Sequence, residues 1–130
     1  MVVIYSDTGY ELPPSLDLYD EVKDFYHEKY PNLRFYVSKN HQELMSYWDR
    51  MGAPSRVLRW CCSIMKSAPL ARLLKEICGG DKQPSAILFD GVRNEESVNR
   101  ANRSRIGKNA KHNNIINVSP IISLSLIHIS

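Results

Sequence analysis

Four short apolar runs, rich in β-branched and aromatic residues, recur along the chain at 1–6 (MVVIYS), 33–37 (LRFYV), 86–89 (AILF) and 114–118 (NIINV). Runs of that length and character read as strands, the first of them as a buried strand of the parallel-sheet type. Between them, apolar residues repeat at three- and four-residue steps. Leu18, Tyr19, Val22, Phe25, Tyr26 and Tyr30 mark one helix face, Leu44, Met45, Tyr47 and Trp48 a second, and Leu70, Leu73, Leu74 and Ile77 a third. Strand alternating with helix predicts an α/β fold with a parallel sheet and flanking helices. A chain of 130 residues, 43% hydrophobic and 24% charged, has the material for one such core.

The helix limits follow from local chemistry. The first is expected from Ser15, as N-cap with Asp17 in the first turn, to Tyr30, where Pro31 stops it. A second is expected over 41–51. A third restarts at Pro69, with Ser67 or Ala68 as cap, and ends at Gly79-Gly80. Cys78, in its last turn, reads as a small buried residue. A helix capped by Asn94 is expected over 95–104, and 103–111 reads as a solvated basic loop. His27 reads as an ordinary boundary histidine.

The stretch at 59–70, RWCCSIMKSAPL, answers to no packing rule. Adjacent cysteines cannot bridge each other without backbone strain, and thiols beside cationic groups suit redox chemistry or metal binding. Lys66 follows the second cysteine by four residues. Asp7-Thr8-Gly9 and Gly91-Val92-Arg93 each follow a strand, which in a parallel sheet is the ligand-binding edge. A plain turn is the alternative for Asp7-Thr8-Gly9. Three loops are thus expected on one edge, with a carboxylate, two thiols, Lys66, Arg93 and Arg100. That set suits an anionic, nucleotide-like ligand with sulfur or redox chemistry nearby. A zinc ribbon is excluded, because the cysteines are not spaced as CxxC and no spaced histidine pair exists.

Charge and cysteine usage narrow the setting. The net charge of +3 suits a phosphate-bearing partner without choosing among them. Cys61, Cys62 and Cys78 are an odd number, and no signal peptide or long apolar run is present, so a reducing cytoplasm is expected and no membrane partner. A nucleic-acid-binding module is the reading from another class. It is disfavoured because the basic segment at 93–111 lacks interleaved aromatics and is offset by Glu95 and Glu96.

Four segments together resemble the phosphoadenosine phosphosulfate (PAPS) reductase family, from about Val2 to Ile122. YSDTGYELP resembles its strand and DTG motif, and GAPSRVLRWCCSIMKSAPL its RWC(C/T)xxxK block with Pro-Leu. GVRNEESVNRA resembles its G-x-R-x-x-E-S-x-x-R-A loop, and INVSPI a strand leading to Pro-Ile. The resemblance implies a Rossmann-like, adenine nucleotide alpha-hydrolase-like fold. It also implies that Asp7, Thr8 and Gly9 line a nucleotide cavity, and that Lys66, Arg93 and Arg100 face a phosphate or phosphosulfate. Cys61 and Cys62 resemble the pair that supplies two of four ligands to a 4Fe-4S cluster in one branch; other members have the block without a cluster.

The resemblance implies an enzyme that reduces adenylyl sulfate, or its 3′-phosphate, to sulfite in sulfate assimilation. Its partners would be the nucleotide and a thioredoxin- or glutaredoxin-like reductant. The sister reading is an ATP-dependent sulfurtransferase of the same fold. The family's Gly-rich phosphate loop, second cysteine pair and tail thiol have no counterpart here. The chain is therefore expected to be truncated and inactive alone, or an inert fragment, with none of its cysteines the attacking nucleophile. The family-like domain is expected over 1–123. Residues 124–130, LSLIHIS, resemble a translated sequencing adapter and are expected to be non-native.

Overall fold

The computed structural model describes residues 1–80, 85–109 and 114–124. The chain divides into two compact units, Met1–Ile77 and Cys78–Ser130.

In the first unit, β1 (Val2–Asp7) and β2 (Arg34–Lys39) pair in parallel, with Asp7 opposite Lys39 at their C-terminal ends. The helix α1 (Pro13–Lys29) joins them, so strand, helix and strand follow one another as the apolar pattern predicts. This helix starts two residues before Ser15. Pro13 and Pro14 occupy its first positions, where their missing N–H groups cost nothing, and Leu12 stands at the cap without a side-chain bond. Asp17 consequently lies beyond the first turn. The apolar face of α1 is also not a buried one. Tyr19 stacks on Tyr5 at 4.4 Å, but Leu18, Val22, Phe25, Tyr26 and Tyr30 are all exposed. The second helix, α2 (Leu44–Met51), is shorter than expected and ends at Gly52, whose φ is +78°.

The largest departure lies in the cysteine–lysine stretch. No helix restarts at Pro69. Helical backbone begins at Trp60, passes through a π-helical turn, Cys62–Ser67, and continues as α3 (Ala68–Ile77). Pro69 sits buried inside this helix. A proline there has no N–H to give and its ring crowds the preceding carbonyl, and a π turn just before it is one way for the helix to continue. Besides Pro69, Trp60, Met65 and Leu74 are the buried apolar side chains of this unit among the described residues. The π turn packs on β1 and β2, and α3 on β2.

In the second unit, β5 (Ile115–Val118) is central. It pairs in parallel with β3 (Ala86–Phe89) and antiparallel with β4 (Ile106–Lys108). The strand β4 falls within the stretch read as a basic loop, because Arg105, Lys108 and their neighbours mask a three-residue strand at a sheet edge. The long helix expected from residue 95 is instead a 3₁₀ turn, Asn94–Glu96, and a single helical turn, α4 (Val98–Ala101). Ser97, in extended backbone, separates them. Cys78 is exposed rather than buried, because α3 stops at Ile77 and Gly79 and Gly80 turn the chain at positive φ. Lys111 and residues 125–130 lie outside the described residues, as does the expectation that the tail is non-native.

Candidate functional site

The turn after β1 is built by its own side chains. Asp7 Oδ1 accepts the Gly9 N–H at 2.7 Å, an Asx-type turn that puts Gly9 at φ +82°, where a Cβ would be strained. Asp7 Oδ2 pairs with Lys39 Nζ at 3.2 Å across the strand register. Thr8 Oγ1 donates to Glu11 Oε1 at 2.8 Å. The Asp7 carboxylate therefore fixes the turn and anchors the next strand's lysine. Its charge is already matched.

A cavity of about 440 Å³ opens at this end of the two strands. Thr8 and Gly9 line one side, Lys39, Asn40, His41 and Gln42 another, and Met65 of the π turn a third. Two backbone turns and a lysine at the C-terminal ends of parallel strands form the arrangement that binds ligands in open α/β sheets. A larger groove of about 610 Å³ lies at the other end of the strands, lined by residues such as Val3, Tyr26 and Phe35 and by no charged side chain.

Lys39, Asn40 and His41 are absent from the sequence-based set. The signal for them was present: they follow β2 as Asp7, Thr8 and Gly9 follow β1, and parallel pairing brings both ends together.

The cysteine–lysine turn is held from both sides. Trp60, buried, donates its indole N–H to the Gly52 carbonyl at 3.2 Å and packs on Tyr47. Ser67 Oγ donates to the Cys62 carbonyl at 3.0 Å. Asn40 Nδ2 donates to the Ile64 carbonyl at 3.0 Å. Cys61 and Cys62 are half-buried and Lys66 is exposed, one residue after the cavity-lining Met65. Neither the cysteines nor Lys66 line the cavity itself.

The cysteine pair alone does not make a metal site. Consecutive helical positions project roughly a quarter-turn or more apart. Among the described residues no three His, Cys, Asp or Glu side chains gather into a metal-holding group. The pair thus supplies at most half of the four thiolates a cluster takes.

Arg93 and Arg100 belong to the second unit, where a single carboxylate brackets them. Glu96 Oε1 meets Arg93 Nε at 3.4 Å, and Glu96 Oε2 pairs with Arg100 Nη1. The spacing of three and four residues across a 3₁₀ turn permits both contacts at once. The stalk of this arginine turn is pinned by Asp90. Its carboxylate accepts the Ser119 hydroxyl at 2.5 Å and the Asn117 amide at 3.3 Å, and meets Arg103 at 3.5 Å. Ser119 and Asn117 are both buried. Asp90, and Glu96 beyond its reading as a charge offset, have structural roles that the sequence reading did not assign.

Comparison with known proteins adds a family. The profile of the phosphoadenosine phosphosulfate reductase domain matches residues 1–130. The uncharacterized protein MJ0066 of Methanocaldococcus jannaschii is 32% identical over 130 residues, covering 98% of this chain and 24% of that protein. The uncharacterized protein MJ0973 of the same organism is 33% identical over 120 residues, covering 92% of this chain and 26% of its own length. The chain thus spans about a quarter of the length of these relatives.

Proposed function

Because this chain belongs to the phosphoadenosine phosphosulfate reductase domain family, we propose that it carries the nucleotide-holding part of an enzyme that reduces adenylyl sulfate or its 3′-phosphate to sulfite. The observation that carries the reading is the cavity bounded by Thr8, Gly9 and Lys39 at the C-terminal ends of β1 and β2. It offers backbone groups, a hydroxyl and an ammonium to a nucleotide. Lys66 in the first unit is proposed to hold anionic oxygens as a mobile point charge, and Arg93 and Arg100 in the second to hold them as forks.

In the proposed reaction a thiolate attacks sulfur. The S–S bond forms as the S–O bond to the nucleotide breaks, and the electron pair leaves with the 5′-phosphate oxygen of the nucleotide. A second thiolate, from a dithiol reductant, then attacks the enzyme sulfur. It forms a disulfide and releases sulfite with the electron pair of the S–S bond. Cations beside the leaving phosphate stabilise the charge that develops there. Cys61 and Cys62 are the two ligands this chain would offer an iron–sulfur cluster. The described residues do not complete a set of four.

The sister reading, an ATP-dependent sulfurtransferase, uses the same strand ends and is separated by the product. The full-length protein, incubated with adenylyl sulfate and a dithiol reductant, is expected to release sulfite and adenosine monophosphate in equal amounts. Consumption of ATP with no sulfite from adenylyl sulfate would replace reduction by sulfur transfer.

A further inference from the structure

The π turn leaves one backbone carbonyl without its helical donor. Within it, hydrogen bonds run from each N–H to the carbonyl five residues back, as Ala68 N–H does to the Ser63 carbonyl. The next bond in that series would run from residue 69 to the Ile64 carbonyl. Residue 69 is proline and has no N–H. A carbonyl without a partner inside a packed helix costs free energy. Asn40 meets the need: its Nδ2 lies 3.0 Å from the Ile64 oxygen and 3.6 Å from Met65 Sδ. Because the partner is a carbonyl, the amide nitrogen rather than its oxygen must face it. The Asn40 oxygen turns the other way and accepts the Gln42 N–H at 3.4 Å.

Asn40 is also the first residue after β2 and lines the cavity beside Lys39 and His41. We infer that Asn40 is a positioning residue: its side-chain amide replaces the N–H that Pro69 lacks and so ties the Lys66-bearing π turn to the rim of the nucleotide cavity. The cavity edge and the cysteine–lysine turn then hold one register relative to each other. The role in ligand binding rests on the function proposed above; the hydrogen-bond replacement does not.

The test is a double-mutant cycle in the full-length protein with Asn40→Ala, Pro69→Ala and the pair. The readouts are the unfolding midpoint and the dissociation constant for adenosine monophosphate. Asn40→Ala is expected to lower the midpoint and weaken binding by about fivefold, the worth of one hydrogen bond. Pro69→Ala restores a backbone N–H, so in that background the loss should fall to about twofold or less. Asn40→Asp keeps the size but sets oxygen against oxygen, and is expected to be at least as damaging as alanine. Equal losses in both backgrounds, or a harmless Asn40→Asp, would overturn the inference. Should Asn40→Ala not fold, Asn40→Ser takes its place in the cycle. If the wild-type protein binds no adenosine monophosphate, the proposed function fails, while coupling in the midpoints still decides the role of Asn40.

Discussion

Tyr5 lies in the middle of β1, stacked on Tyr19, with its hydroxyl buried and without a hydrogen-bond partner. Burial first, and then the negative charges of Glu11 and Asp7, raise its pKa above the ordinary 10.0. A raised acid pKa means the fold favours the neutral phenol. That contribution is complete below pH 10.0 and is lost as pH climbs through the higher folded value. Tyr5→Phe removes both the titration and the unpartnered hydroxyl. Thermal melts through the alkaline range are expected to show the variant at least as stable as the parent near neutrality, and losing less above about pH 10. A variant that loses as much as the parent would place the alkaline transition elsewhere. At this scale the sequence is legible where the chemistry is local. The Asp7-Thr8-Gly9 turn follows from residue types alone. The Asn40 contact with Ile64 joins residues 24 positions apart, and nothing in residue order announces it.

Among the elements, β1, β2, β3 and β5 lie where the apolar runs predicted them, and Gly79-Gly80 follow the end of α3 as expected. The misread elements share a cause: tertiary or neighbouring groups satisfied what a helix cap or helix start would have supplied. Two prolines replaced the Ser15 cap, a π turn absorbed Pro69, and the extended backbone of Ser97 broke the helix that Asn94 was expected to begin. The short arginine element that resulted depends on Glu96, whose two oxygens each take one guanidinium. Arg93 pairs with Glu96 through Nε, which leaves the far edge of its fork directed elsewhere. Glu96→Gln removes the charge that aligns both arginines. It is expected to weaken adenylyl sulfate binding by the full-length protein roughly threefold to tenfold, measured by calorimetry. Tighter binding would mean that Glu96 competes with the ligand for the arginines.

For the molecule as a whole, the apolar runs read as strands of a sheet, and only one face of the second sheet is covered among the described residues. Ile115 is 2% exposed, whereas Ile87 and Phe89 are 62% and 64% exposed. The sequence carried the appetite for burial but not the identity of the covering surface, which is a long-range property. The candidate residues fall in two separate groups. Asp7, Thr8, Gly9 and the cysteine–lysine turn belong to the first unit, with Lys39, Asn40 and His41 added by parallel pairing. Arg93 and Arg100 belong to the second. No helix among the described residues is long and apolar enough to cross a membrane. The central claim is that the strand-end cavity and the π turn serve an anionic nucleotide through Lys66. Calorimetric titration of the full-length protein with adenylyl sulfate, parent against Lys66→Ala, tests it most directly. Saturable binding that weakens about tenfold or more in the variant is the predicted result; equal affinity in the two proteins would contradict it.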